Sequence, residues 1–308
     1  MTSDDSQSQS TEYDSPWKEI LKGHFKEFLA FFLVEAHDDI DWRRDPEFLD
    51  KELDRITREA EAGNRRVDLL VKVWLLDGDE LWVLIHVEVQ GSRDPDFAER
   101  MYTCQHRAYD LHRKPVIGLA ILADEEPGWR PSTFGYEKWG SGVQYRFNAI
   151  KLLDYLEDLS ALEQSGNPFA IVTLAHLTGK QTRSQPGIRY QEKRRITRSL
   201  YHSGFDRQQI IDLYRFIDWV LHLPEEADNQ FWQELSNFEE KQAMQYITSV
   251  ERIGIRKGKA ESLLQLLQER FGSVPESVQN KVSSATLEEL TAWLGKIFKA
   301  DSMQAVFQ

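Results

Sequence analysis

Two alternating runs near the first third of the chain constrain its fold more than any other feature. Positions 67–76 and 81–90 are separated by Asp77-Gly78-Asp79-Glu80. The odd positions Val67, Leu69, Val71, Val73, Leu75, Leu81, Val83, Ile85, Val87 and Val89 are all aliphatic, whereas the even positions Asp68, Leu70, Lys72, Trp74, Trp82, Leu84, His86, Glu88 and Gln90 are mixed. Strand side chains alternate between faces, so each run predicts one strand, and the turn residues between them predict a hairpin. The apolar odd positions gather on one side only if paired residue numbers sum to an even number, which requires a loop of odd length. A three-residue loop with Gly78 in a left-handed conformation meets that condition. The same parity puts Asp68 on the face that carries Glu88 and Gln90.

The flanking sequence predicts an α/β domain followed by helices. Ser15-Pro16 opens a helix with Trp17, Ile20, Leu21, His24, Phe28, Phe31 and Phe32 at helical spacing. A second helix is expected over 46–62 and a third over 95–112, with Phe97, Met101, Ala108 and Leu111 on one side. The apolar run 116–123 has the character of a buried central strand. Residues 124–142 read as loop, 143–148 as a strand, and 152–164 and 168–177 as helices. Beyond 191 the pattern is helical, with a flexible join expected at Arg256-Lys257-Gly258-Lys259, a C-cap at Gly272 and a capping box at Thr286-Leu287-Glu288-Glu289. The expected organisation is a disordered tail over 1–14, an α/β domain over 15–180, a helical extension over 181–250 and a small helical domain over 251–308.

Charge narrows the partners. With 38 Lys and Arg against 51 Asp and Glu the net charge is -13, which opposes a protein that coats nucleic acid. Distribution qualifies that conclusion, because Lys180, Arg183, Arg189, Lys193, Arg194, Arg195 and Arg198 face only Glu192 within residues 180–200. A basic helix there can grip phosphates or can pair with the protein's own acids. Arg100 and Arg107 on the 95–112 helix are further phosphate-contact candidates. No apolar run is long enough to span a membrane, the first residues lack the pattern of a secretory signal, and the single Cys104 cannot form an intrachain disulfide. A cytoplasmic protein is therefore expected.

Asp68, Glu88 and Gln90 form the candidate site. Two carboxylates on one strand face can hold Mg²⁺ or Mn²⁺, which favour oxygen ligands. The other reading of the same spacing makes them the solvent face of a hairpin. His37-Asp38-Asp39-Ile40-Asp41 has the composition of a metal cluster, but its neighbouring side chains diverge. His86 shares the candidate face, and Cys104 reads as packed within its helix.

With these residues in view, the chain resembles the PD-(D/E)XK nuclease superfamily, and more narrowly the recombination-promoting nuclease and transposase-like family. The likeness is carried by Arg66-Val67-Asp68-Leu69-Leu70-Val71-Lys72-Val73, by Ile85-His86-Val87-Glu88-Val89-Gln90, and by Phe97-Ala98-Glu99-Arg100-Met101-Tyr102, which is similar to that family's R-M-x-x-Y helix. It covers about residues 16–180. The C-terminal unit, with Leu267, Arg270-Phe271-Gly272, Leu290 and Trp293-Leu294, resembles a small helical domain attached to such proteins. The resemblance implies a restriction-endonuclease-like αβββαβ core and metal-dependent DNA cleavage linked to recombination or mobile elements. It implies Asp68 and Glu88 as metal ligands, joined by the Val89 carbonyl, and a further carboxylate from Glu52, which reads equally as an exposed helix residue near Arg55. Gln90 stands where the superfamily usually carries Lys, so the resemblance admits a slow enzyme or a silent DNA- or protein-binding relative. Self-association through the helical C-terminal region is the other partner arrangement expected.

Overall fold

The computed structural model describes residues 14–51, 67–88, 94–242, 244, 246–297, 300 and 302–307; for 14, 15, 67, 68, 84–88, 248–255, 287 and 288 it describes the backbone alone. The predicted tail, except for its last residue, lies outside the described residues. The chain divides into two compact units, one ending at Glu225 and one from Glu226 to Gln308. It is an α/β protein with a mixed five-stranded sheet and a helical C-terminal region.

In the first unit, α1 (Asp14–Gly23), α2 (Phe25–Phe32) and α3 (Val34–Asp39) lead to β1 (Glu47–Phe48). Residues 47–48 are thus a short strand rather than part of the helix expected over 46–62, most of which lies outside the described residues. β2 (Val67–Trp74) and β3 (Glu80–Glu88) form the predicted antiparallel hairpin, α4 (Phe97–His112) crosses over, and β4 (Val116–Leu122) returns parallel to β3. After β5 (Thr133–Lys138) and β6 (Ser141–Arg146), β7 (Asn148–Lys151) joins parallel to β4, giving the order β1-β2-β3-β4-β7. β1 closes the other edge, with Glu47 opposite Lys72 and their side chains paired at 2.6 Å.

The hairpin register follows the parity argument. Asp68 pairs with His86, Leu70 with Leu84 and Trp74 with Glu80, so the partner numbers sum to an even value throughout. The Gly78 amide donates to the Leu75 carbonyl at 2.9 Å, the Leu75 amide donates to the Asp79 carbonyl at 2.8 Å, and Gly78 takes φ +96°. That is a three-residue loop whose left-handed position excludes a side chain with ordinary preferences.

Both faces of the sheet are covered. Leu69, Val71, Val73 and Val83 are buried, and α1 lies against β2. On the opposite face Leu70, Trp82, Ala108 and Val116 form one cluster, and Phe97, Met101, Ala120, Leu122, Trp129 and Phe147 form another. The even face of the hairpin is therefore roofed by α4 at Leu70 and Trp82, rather than left to solvent as its mixed composition allowed. Leu111 departs from the predicted inner face of α4 and is exposed. After a 3₁₀ turn (Leu152–Asp158) and α5 (Leu159–Gln164) comes α6 (Pro168–Gln181), in which every residue from Pro168 to Gly179 is buried. A helix apolar on all sides belongs at a domain centre. Phe28 packs edge-on against Phe169, and Trp17 against Phe216 and His176, so α6 is sheathed by α1, α2 and α8 (Arg207–Val220). α7 (Pro186–Ser199) also packs on α6, and the stretch expected as a separate extension over 181–250 is divided between the two units.

Residues 124–142, expected as loop, contain most of a β5–β6 hairpin. Its two-residue tip is Trp139 (φ +54°) and Gly140 (φ +79°), closed by the Lys138–Ser141 pair. Tyr145 of this hairpin lies against β4 at Gly118, where an added Cβ would sit 2.2 Å from the Tyr145 hydroxyl.

The second unit comprises α9 (Glu225–Gln242) from its second residue onward, α10 (Ile247–Phe271), α11 (Glu276–Ser284), α12 (Leu287–Lys296) and α13 (Met303–Val306). The expected flexible join at 256–259 is a continuous part of α10, because the solvent-facing Gly258 costs a helix only about 1 kcal/mol. Glu239 is fully buried and accepts hydrogen bonds from the Tyr246 and Ile247 amides, satisfying donors at the start of α10. The core joins Leu263, Leu267, Val282, Leu290, Trp293, Ile297 and Val306, with the Thr286–Glu289 capping box starting α12.

Candidate active site

The site is built by register. Asp68 is opposite His86 across the β2–β3 ladder, and Glu88 lies two residues further along β3, opposite Leu122 of β4. Strand alternation places positions 68, 86 and 88 on one face, the face roofed by α4. They stand at the carboxyl end of β3, beside the parallel strand β4, where open α/β sheets present their loops and sites.

α4 adds a cation at that level. Ala108 and Cys104 pack on the Leu70–Trp82 cluster, and Arg100 continues the same stripe at i and i+4 spacing. Eight residues of helix advance about 12 Å, the length of three to four strand residues, which carries Arg100 from the level of Leu70 toward the Asp68–His86 pair. Arg100 is fastened by an ion pair with Asp94 and lies over the Phe97 ring at 5.8 Å. Arg107, one of the expected phosphate contacts, is half-buried on the same helix.

Two carboxylate positions on one face supply the hard oxygen donors that Mg²⁺ or Mn²⁺ requires, so the residue types fit such an ion. Among the described residues no group of three or more His, Cys, Asp or Glu side chains is gathered. Glu52, Val89 and Gln90 lie outside the described residues, and Asp68 and Glu88 enter through their backbone positions alone. The His37–Asp41 cluster disperses into local contacts: His37 Nδ1 meets the Asp38 carboxylate at 3.0 Å, and Asp41 accepts from Arg43 Nε at 2.7 Å. The Arg43 hydrogen bond draws the Asp41 carboxyl below its ordinary pKa.

The basic helix requires a correction. Lys193 is fully buried and its Nζ donates to Asp218 Oδ1 at 2.6 Å, so it cannot reach a phosphate. Arg195 is tied to Glu163 and, at 2.6 Å, to Glu192, while Arg189 donates to the Gly179 carbonyl at 2.7 Å. Arg194 and Arg198 are half-buried and also engaged. Of the two readings of α7, internal pairing is the one realised for Lys193 and Arg195.

A second charged feature escaped the sequence reading. At the carboxyl ends of β4 and β7, Lys151 Nζ meets Asp124 Oδ1 at 2.5 Å, with both side chains 1% exposed. Glu126 N–H also donates to Asp124 Oδ1 at 2.8 Å, the Trp129 carbonyl accepts from Lys151 at 3.3 Å, and the Trp129 ring lies 5.6 Å from the ammonium. Asp124 Oδ2 is buried without a hydrogen-bond partner. Lys151 occupies the row of Glu88 and Leu122, two strands from Glu88. The available signal was a lone acid directly after an unbroken apolar strand, since charge at that point either reaches the strand ends or must be paired.

Comparisons of the chain with protein-family models, curated proteins and solved structures give no significant match.

Proposed function

We propose that this protein is a metal-dependent DNA endonuclease with a restriction-endonuclease-like core, linked to recombination or mobile elements. The observation that carries the reading is the hairpin register, which sets Asp68 opposite His86 and Glu88 two residues beyond it on the same face. Element order supports it: helices, three antiparallel strands, a crossover helix and a parallel strand succeed one another as αβββαβ demands. Asp68 and Glu88, with the Val89 carbonyl and Glu52 as further donors, are the residues that would hold Mg²⁺ or Mn²⁺. A divalent cation held there supplies Lewis acidity toward a phosphodiester oxygen and lowers the pKa of a water.

The chain's own groups do the rest. The Gln90 amide orients the attacking water by hydrogen bonding, without the charge a Lys would bring. Arg100, fixed by Asp94, offers a cation to the phosphate from the α4 side. A catalytically silent binding module is the second reading, favoured by Gln90 itself and by the net charge of -13.

The test is plasmid cleavage by the full-length protein with Mg²⁺ and with EDTA. Slow, metal-dependent nicking is expected, abolished by Asp68→Ala and by Glu88→Ala. Cleavage at the wild-type rate by the Asp68→Ala protein would overturn the assignment, and binding without cleavage would select the silent module.

A further inference from the structure

Trp139 is 93% exposed, more than any other large hydrophobic side chain among the described residues, and its backbone is left-handed. That conformation brings a Cβ close to the following carbonyl oxygen, and turns of this kind favour Asn, Asp or Gly. The chain thus bears two penalties at one position, a wet indole and a strained backbone. Tyr136 on the same hairpin is 60% exposed. Behind it the rings continue inward: Phe134 stacks on Tyr102 of α4 at 5.1 Å and 21°, and Tyr102 on His106 at 5.5 Å and 18°. The tip is therefore carried on a braced aromatic ridge.

Charge identifies the occupant. Lys138 Nζ lies 4.9 Å from the Trp139 ring centroid. Lys138 and Arg146 are both exposed and make no ion pair among the described residues, unlike Lys151, Lys193, Arg100, Arg130 and Arg195. A flat ring with one ammonium over one face, leaving the other for a base, and a second cation at the far end of the same ribbon matches a nucleobase joined to its phosphates. A base inside a duplex cannot offer its face to an indole, so the strand must be unpaired.

We propose that the β5–β6 hairpin is a single-stranded DNA binding element in which Trp139 stacks on an unpaired base and Lys138 meets the adjacent phosphate. This deepens the DNA-binding part of the proposed function and is independent of cleavage. The test uses the full-length protein in EDTA with a single-stranded oligonucleotide carrying 2-aminopurine, followed by fluorescence quenching and anisotropy. Trp139→Asn suits the turn, so it keeps the fold and its melting temperature while removing the ring. It is expected to weaken binding about 5- to 150-fold, the loss of one base–aromatic stack. Trp139→Phe should retain most of the affinity, and the duplex form of the oligonucleotide should bind more weakly with no dependence on Trp139. Equal affinity of wild type and Trp139→Asn overturns the proposal, as does sedimentation showing that Trp139 instead holds two copies of the chain together. Trp139-dependent binding by a protein that never nicks plasmid would sustain this element and remove the catalytic reading; nicking without that dependence would do the reverse.

Discussion

Replacing Lys151 by Met removes one half of the most enclosed ion pair described in the first unit. Both side chains are 1% exposed, so water cannot take over when the ammonium is lost. Asp124 would keep only the Glu126 amide on Oδ1, while Oδ2 already lacks a partner. Breaking a buried pair from one side costs about 3–5 kcal/mol, because the surviving charge stays buried and uncompensated. Against a typical total of about 5–15 kcal/mol that is a large fraction. Urea unfolding followed by far-ultraviolet circular dichroism should show a lower midpoint at unchanged slope for the transition that includes the sheet. The double variant Asp124→Asn/Lys151→Met removes both charges and retains an acceptor for the Glu126 amide, so it should recover at least half of the loss. A Lys151→Met protein within about 1 kcal/mol of wild type, or a double variant worse than the single, would refute the view that this pair is held by mutual compensation.

His176 gives a pH prediction. Burial, reinforced by the nearby Lys180, lowers its pKa from 6.5 to about 4, although its hydrogen bond to the Ala123 carbonyl acts in the opposite direction. The unfolded chain then binds a proton more readily than the folded one, so the stabilisation is complete above pH 6.5 and is lost as pH falls toward 4, at up to about 1.4 kcal/mol per unit; His176→Gln should flatten the stability profile in that window, and an unchanged profile would show that His176 does not set it. In plasmid nicking, Gln90→Lys should leave the rate intact or raise it and Gln90→Ala should lower it moderately, since a well-placed donor is worth about 10²–10³ in rate; a Lys substitution that abolishes nicking would show that Gln90 does not occupy a water-orienting position.

The β2–β3 hairpin was legible because its information is local. Strict alternation and a glycine-containing turn fix both pairing and parity, and the register Asp68–His86 follows from them. The β5–β6 hairpin was not, because its tip holds Trp139 where the usual signal is Asn or Gly, and Gly135 and Gly142 interrupt its alternation. Lys193 shows a different limit. Its composition argued for a solvated basic helix, and its burial is decided by Asp218, 25 residues away on α8. Likewise Asp124 and Lys151 are 27 residues apart and meet only because β4 and β7 pair in parallel. Side chains that find long-range partners leave no periodic trace; faces that pack uniformly do.

Charge placement joins these observations into one constraint on DNA binding. A chain at -13 repels a phosphate backbone as a whole, and the strongest basic run, on α7, loses Lys193 and Arg195 to internal carboxylates. Few counterions would then be released on binding, so affinity cannot come mainly from the electrostatic term that serves basic proteins. Base stacking on an indole carries little of that salt dependence, and it requires no positive field beyond the immediate phosphate. An exposed Trp139 with the Lys138 ammonium over its ring is the kind of contact an acidic protein can use, because it draws its free energy from a ring face rather than from net charge. In the proposed site Arg100, held by its ion pair with Asp94, would have a local role: its cation would act on a single phosphate and contribute nothing to long-range attraction.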